Sequence, residues 1–483
     1  MVKKIILFIL VFFSFLYSQE ILNVRTNYHY YYSDLYTKLI PKNSEIYPLK
    51  LKELDINIKM PIEDGFFYKV RDTNTFILTG ISMGGDLRKD FSLKGNYGFY
   101  SLIIGLKTKK IEFWGDFKNN RLEYNRDVFK FWKWDSYTEP YYNIETNKTG
   151  EDSNNVKLYD RPIWSLNIDI SKDFQVDLGH NSLSIGPSFF DNIFLSDSSL
   201  SYDYYIVSYN ISRFKYSWGL LFLITDTLLL NKYFAFHRLE FPVFSFINIG
   251  FYEGVMFMDR FVPMYVFPVV PFVLAEHYYG DQDNKALGGD ITLYKNGFKV
   301  YLGVFVDDMT TVNLYKYFTS DWWSDKWALS TGIGYLKKLN KDYYYLLALD
   351  YTRVEPWVYA HHVFDGYLRM THYTHPISFS YGCDVDRLKG SLEFGILKRG
   401  YINFTGEYVR KGPRTIYEMW DPEIYPSTKT FLEYIIYKRK IFGTFISYNI
   451  YRSNWILANF YLNYNYDIEI RDSQIQVGLK GVL

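Results

Sequence analysis

Few residue arrangements in this chain are suited to covalent chemistry. His180-Asn181-Ser182 sets an imidazole and a hydroxyl two residues apart. On a strand they would share a face, the spacing of a base-activated nucleophile. No third, orienting partner is identifiable, and no G-x-S-x-G, H-E-x-x-H or P-loop pattern occurs. We therefore expect no catalytic residues and no enzyme. The adjacent pair His361-His362 would point its rings apart on a strand, a poor metal site. Asp281-Gln282-Asp283 has acidic spacing, but two carboxylates fall far short of the roughly six to eight oxygens that Ca²⁺ takes. No metal and no cofactor is expected.

Non-covalent recognition is better supplied. Trp322 and Trp323 lie in one polar connection, Trp357 and Tyr359 in another, and Trp420 and Tyr425 in a third. A flat ring can cover the C–H face of a sugar while nearby carboxylates and amides bond its hydroxyls, and rigid aromatics lose little entropy on binding. The alternative for each is a membrane-interface aromatic. A second group comprises Arg238, Arg260, Glu276, Asp283, Asn284, Asp290 and Asp307. These are candidates for a polar network of paired charges inside a barrel, holding an inward-folded loop or gating a ligand.

The elements that must position these residues read as strands. Phe298, Val300, Leu302, Val304 and Val306 alternate with Lys299, Tyr301, Gly303 and Asp307. Ile402, Phe404 and Tyr408 oppose Asn403, Thr405 and Glu407; Ile475, Val477, Leu479 and Leu483 oppose Gln474, Gln476 and Lys480. Segments of about ten residues with one apolar and one polar face fit strands that cross a bilayer at a tilt. A soluble sandwich, propeller or solenoid also alternates, but no fixed repeat or blade signature occurs. Short connections (Ser171-Lys172-Asp173, Ser212-Arg213, Asn296-Gly297, Asn340-Lys341, Arg399-Gly400, Arg439-Lys440) alternate with long ones at 119–162, 182–202, 255–286, 307–326, 354–390 and 411–429. That parity predicts short periplasmic turns and long external loops. A raw count gives nineteen strands; the even-number rule for bacterial barrels reduces this to eighteen, with the surplus expected near 455–483 or 75–83.

Of 483 residues, 100 are aromatic, a share of 21% that suits interfacial girdles. The net charge of +1 leaves no basic excess for nucleic acid. The lone Cys383 excludes an intramolecular disulfide framework. Lys3 and Lys4 followed by the apolar run Ile5–Tyr17 read as a signal peptide over 1–18, with the mature chain starting near Gln19. Residues 19–72 do not alternate; short helices at 33–40 and 48–56 would make a periplasmic plug segment. The barrel is expected over 73–483, in the outer membrane with loops at the cell surface. The expected fold class is thus all-β: a transmembrane antiparallel β-barrel of about eighteen strands with a small N-terminal periplasmic helical element.

Several stretches then resemble the Wzi family of capsule-assembly outer-membrane proteins and its relatives in gliding bacteria. They are Gly179–Ser196 with Gly186-Pro187 and Leu195-Ser196; His237-Arg238-Leu239 and Ile249–Glu253; Pro271–Asp290; Val306-Asp307-Asp308-Met309; Tyr351–Pro356; and Thr371-His372-Tyr373 with His375-Pro376. They span roughly 170–410. Glu355, where relatives often carry a basic residue, and the terminal Leu483 depart from the pattern. The resemblance implies an eighteen-stranded barrel with a periplasmic helical plug, holding surface (capsular) polysaccharide. The implied partners are that polysaccharide and the lipid and lipopolysaccharide of the outer membrane, with the protein a monomer. A porin or sugar-selective channel is the alternative.

Overall fold

Alternating apolar and polar residues become, in the computed structural model, the two faces of one closed wall. The structure describes residues 46–47, 68–69, 76–90, 93–124, 156–211, 214–225, 230–244, 246–280, 282–308, 314–340, 342–361, 367–396, 399–418, 420–421, 423–452 and 457–482. The expected signal peptide and the helices at 33–40 and 48–56 lie outside them.

The wall is built from β1 (Phe76–Asp90), β2 (Leu93–Lys107), β3 (Ile111–Tyr124), β4 (Val156–Asp169), β5 (Phe174–Asn181), β6 (Tyr202–Ile211), β7 (Phe214–Ile224), β8 (Asn231–Phe244) and β9 (Ile247–Met258). It continues through β10 (Asn284–Lys295), β11 (Phe298–Asp308), β12 (Lys326–Lys338), β13 (Tyr343–Val354), β14 (Val385–Ile396), β15 (Gly400–Lys411), β16 (Tyr437–Arg452), β17 (Leu457–Asp467) and β18 (Asp472–Val482). Each strand pairs antiparallel with the next, and β18 closes on β1, with Gln474 opposite Asp90 and Val482 opposite Ser82. Among the described residues three short helices lie in the connections: α1 (Pro263–Val266), α2 (Phe272–Tyr278) and α3 (Leu314–Thr319). Among the described residues no helix is long and apolar enough to cross a membrane.

One end of the wall carries only connections of four residues or fewer: 108–110, 170–173, 212–213, 245–246, 296–297, 339–342, 397–399 and 453–456. The other carries 125–155, 182–201, 259–283, 309–325, 355–384 and 412–436, with shorter links at 91–92, 225–230 and 468–471. Every long connection therefore leaves from the same end of the barrel. At Asn296-Gly297 both residues have positive φ, 52° and 85°, as a type I′ hairpin requires.

One expected turn is absent. Arg439-Lys440 lies inside β16, which runs unbroken over Tyr437–Arg452. The pair looked like a hairpin tip because two adjacent cations interrupt an apolar run. Both instead meet anions by the next hairpin: Arg439 Nε lies 2.7 Å from Asp467 and Lys440 Nζ 3.1 Å from Glu469. The segments expected to supply the surplus strand, 75–83 and 455–483, both contribute to the wall.

Side-chain direction follows the sequence pattern. On β11, Lys299, Tyr301, Phe305 and Asp307 are buried toward the lumen, while Phe298 and Leu302 are exposed on the outer face. Leu347, Leu349, Phe404 and Leu479 continue that exposed apolar face on β13, β15 and β18. Toward the short-turn end, rings form a ladder across neighbouring strands: Phe214–Phe241, Phe241–Phe251 and Phe298–Tyr335, with centroids 5.9, 5.7 and 4.3 Å apart. Interfacial girdles of outer-membrane barrels have this placement.

Candidate functional site

Two long connections fold inward. In 182–201, Leu183, Ile185, Phe189, Ile193, Phe194 and Leu195 are buried. In 355–384, so are Val358, Tyr359, Leu368, Met370, Ile377 and Phe379. Together they form one apolar cluster with lumen-facing residues of every strand from β6 to β15, among them Tyr204, Leu221, Phe234, Tyr252, Ala286, Phe305, Ala328, Val354, Val385 and Val409. Phe194 is its centre, stacked on Tyr252 at 4.1 Å and 5.7 Å from the Phe234 ring. Ile46–Tyr47 adds a short antiparallel strand against Ser184–Ile185, so the N-terminal stretch reaches this plug.

Polar groups fix the plug's position because the lumen wall is itself polar. Ser188 Oγ donates to Asp350 on β13 at 2.6 Å, and Tyr301 donates to the same carboxylate. Asp191 accepts from Ser380 N at 3.0 Å and lies 3.5 Å from Arg387 on β14. Lys232 Nζ on β8 donates to Arg369 O and Thr371 Oγ1, both at 3.0 Å. The two loops also bind each other: Tyr359 Oη donates to Ile193 O at 2.7 Å and Ser378 Oγ to Phe194 O at 2.8 Å. His372 Nδ1 accepts from Ile224 N at 3.1 Å, which makes it a neutral ring with its proton on Nε2. Burial, reinforced by the nearby Lys232 charge, pushes the His372 pKa down to about 3. Burial alone takes His375 to about 4.

The expected charge network divides into an inner and an outer part. Arg238 on β8 is fully buried in the lumen, with Nη1 and Nη2 donating to Asp290 at 2.7 and 3.0 Å and Nε 3.0 Å from Glu240. A bidentate pair of this kind needs room: a Cβ on Gly250 would stand 2.4 Å from Arg238 Nη2. Asn284 Nδ2 donates to Leu368 O at 3.0 Å, and Asp307 accepts from Tyr359 N at 2.9 Å, so both hold the plug. Arg260, Glu276 and Asp283 belong elsewhere. They sit with α1 and α2 against the outer face of the wall, where Arg260 pairs with Asp283 and Lys285 with Glu276 at 2.7 Å. Tyr265 Oη donates to Asp283 at 2.8 Å. Burial raises the Asp283 carboxyl above its ordinary range, against the lowering by Tyr265 and Arg260.

The six candidate ligand aromatics also divide. Trp323 and Trp420, from different loops, stack face to face at 4.0 Å with 1° between the planes. Trp322 lies 6.4 Å from Trp323 and is 41% exposed. The two loops are tied by Trp323 N donating to Ser427 O at 3.0 Å, and Lys326 Nζ stands 5.6 Å from the Trp323 ring centre. Tyr425 packs edge-on to Trp357 at 5.6 Å, with the Arg414 guanidinium 4.6 Å from the Tyr425 ring. Trp357 and Tyr359 are buried, both at positive φ (58° and 71°), and Tyr359 is part of the plug. The Trp357 indole N–H has no acceptor among the described residues. His180 Nδ1 lies 2.8 Å from Asp203, and Ser182 Oγ donates to Asp197 O. Among the described residues no cluster of His, Cys, Asp or Glu could hold a metal ion.

The sequence reading passed over Lys232, Asp350 and Arg387, the lumen-side anchors of the plug. The signal was available: each is a charge at an inward position of an alternating strand.

A closed wall of eighteen antiparallel strands, apolar outside and filled on one side by its own loops, defines a large β-barrel of the outer-membrane type. No protein-family profile and no curated protein matches the sequence. Among solved structures, the chain is similar to Wzi of Escherichia coli, described as a carbohydrate-binding β-barrel and an outer-membrane protein involved in group 1 capsule assembly. The TM-score is 0.54 at 11% identity, over 84% of each chain, so the fold is Wzi-like. Looser likenesses are to OccAB4 of Acinetobacter baumannii (TM-score 0.46, 11% identity, 86% of this chain and 99% of that one). Another is OccK2 of Pseudomonas aeruginosa, solved in complex with glucuronate (0.43, 9%, 84% and 96%).

Proposed function

We propose that this protein is an outer-membrane barrel that holds surface polysaccharide at the long-loop end, without chemistry on it. One observation carries the reading: loops 182–201 and 355–384 occupy the lumen and pack on β6 to β15, while a partly exposed aromatic cluster stands at the same end. A passage for solutes needs an open lumen. A lumen filled along β6 to β15 turns that part of the loop end into a platform. The stacked Trp323–Trp420 pair with Trp322 beside it offers flat apolar surface, and Asp321 and Asp421 lie in the same two loops. Each ring–sugar contact is weak, and a long polymer engaging repeated sites gains its retention by avidity. The Wzi-like fold agrees with this reading.

Two measurements test it. Purified protein in planar bilayers should show no stable single-channel conductance; steady channels of porin size would install the channel reading instead. In cells, Trp322→Ala combined with Trp323→Ala should leave the heat-modifiable barrel intact, because these residues lie outside the strand ladder, and should release polysaccharide into the medium. A double variant that keeps its surface glycan would remove these residues from the site.

A further inference from the structure

The connection 259–283 does not join the plug. It folds back over the outside of the wall. Tyr265 and Phe272 are buried against Trp218, Ala235, Val255 and Phe257, all outward-facing on β7, β8 and β9. Trp218 Nε1 donates to Tyr265 O at 3.2 Å, and Tyr216 Oη donates to Pro268 O. The flap also covers a polar pair on the outer face. His237 Nδ1 lies 2.7 Å from Glu253 Oε1, the Phe272 ring stacks on His237 at 4.1 Å, and Phe272 N donates to Glu253 Oε2 at 3.1 Å.

The height of that pair is the informative point. Other outward-facing charged pairs, His180–Asp203 and Arg410–Asp386, lie at the second residue from the long-loop ends of their strands. His237–Glu253 is deeper. Seven residues separate His237 from Phe244 at the short-turn end, which at a rise of about 3.3 Å and a tilt of about 40° is roughly 18 Å. An outward apolar band is about 25 Å tall, so a band that begins at the exposed Phe244 reaches past His237 to the part of the flap that covers it. Its own outer side matches. Phe261, Phe267, Val269, Leu274 and Tyr278 are exposed by 59% or more. Between Phe261 and Gly280 there is no Lys or Arg, and the one carboxylate, Glu276, is buried on Lys285.

We infer that this flap is inserted in the outer leaflet, with lipid acyl chains covering Phe261, Phe267, Val269, Leu274 and Tyr278, so that an outer loop serves as part of the lipid-facing wall. The inference rests on the membrane-barrel reading above. Lipid is the occupant because the flap's apolar side continues the exposed face of Phe251 and Leu239 directly beneath it, and because a polar pair at that depth calls for protein cover rather than hydrocarbon.

The single native thiol makes the test clean: Cys383 is buried and burial raises its pKa to about 12, so it resists labelling. The full chain carrying Val269→Cys or Leu274→Cys would be spin-labelled and reconstituted in phosphatidylethanolamine–phosphatidylglycerol vesicles. Collision with oxygen and with a water-soluble nickel chelate reads the depth of each label. Leu347→Cys on the bare wall and Glu423→Cys on an exposed loop are the references. The expected result is an oxygen-to-nickel ratio at 269 and 274 equal to that at 347 and several-fold above that at 423. Nickel access at 269 and 274 with a lipid signal at 347 overturns the inference while leaving the barrel reading intact. Nickel access at 347 overturns the barrel reading itself. Dipolar broadening at 269 that disappears on dilution with unlabelled protein would assign the surface to a second copy and likewise overturn the lipid assignment.

Discussion

Connections 182–201 and 259–283 leave the same end of the wall and settle on opposite sides of it. The first enters the lumen with Ser184, Ser188, Asp191, Asn192 and Ser196, every one buried and hydrogen-bonded. The second lies outside with an almost uncharged stretch whose few polar groups meet Tyr216, Trp218, Glu253 and Lys285. The wall sorts them. Its inner face supplies Asp350 and Arg387 to a polar loop, and its outer face supplies Trp218, Ala235 and Val255 to an apolar one. Hydrophobicity alone would not separate them, since both bury phenylalanines. The number of buried polar groups each loop must satisfy does.

Neighbouring residues on β8 give the sharpest break of this contrast. Arg238→Ala removes the fully buried cation that Asp290 and Glu240 share inside the lumen. Orphaning a buried charge typically costs about 3–5 kcal/mol, so the heat-modified gel transition should fall steeply. Next is Phe194→Ala, which removes the plug's central ring. Truncating a core Phe to Ala typically costs about 3–5 kcal/mol. The effect should appear as faster hydrogen exchange in 182–201 and 355–384 and flickering conductance, while flap labels keep their lipid signal. Smaller still is Glu253→Gln on the outer face, expected at about 0.5–1.5 kcal/mol, with exchange rising in 261–280 and the plug unchanged. If Glu253→Gln loosened the plug as much as the flap, the two loops would be one cooperative unit and the contrast would fail.

Acid should act on the inner loop through its two buried histidines. His372 and His375 ionise near 6.5 when exposed but at about 3 and about 4 in the folded plug. Between those values the unfolded plug binds more protons than the folded one, so stability rises with pH. The contribution is whole above about 6.5 and declines as pH falls toward 3. Protonation of His372 also turns its Nδ1 into a donor facing Ile224 N–H. Conductance recorded at decreasing pH should show the plug loosening below pH 6, and His372→Gln should reduce that dependence.

Much of the wall was legible in the sequence. Alternation on β11 gave the correct face for Phe298 through Asp307, and the parity of long and short connections gave the ends. Eighteen strands followed from an even-number rule rather than from reading each turn, as Arg439-Lys440 shows: cross-strand ion pairs inside a strand have the composition of a turn tip. Where a loop goes after leaving the wall was not legible. Asp283 and Asn284 are adjacent, yet one binds Tyr265 on the outside and the other Leu368 on the inside. A list of charged residues cannot assign them to sides without the strand boundary between them. The aromatic candidates met the same limit. Trp323 and Trp420 are 97 positions apart and stack only because their loops pair, while Tyr359, itself an expected ligand residue, is buried in the plug.

The closure of β18 on β1 joins the two sequence extremes of the wall. Lys89 Nζ meets Asp472 at 2.9 Å across 383 positions of chain. Until that seam forms, both edge strands present unpaired N–H and C=O groups, which hydrocarbon cannot solvate and which recruit other strands in water. Thermodynamically the separation is a small burden, since loop-closure entropy grows only logarithmically with length. Kinetically it is the most non-local contact in the fold and belongs among the last to form. A nascent wall therefore carries two adhesive margins through nearly all of its synthesis, and the fidelity of its assembly depends on how those margins are shielded until the first strand meets the last.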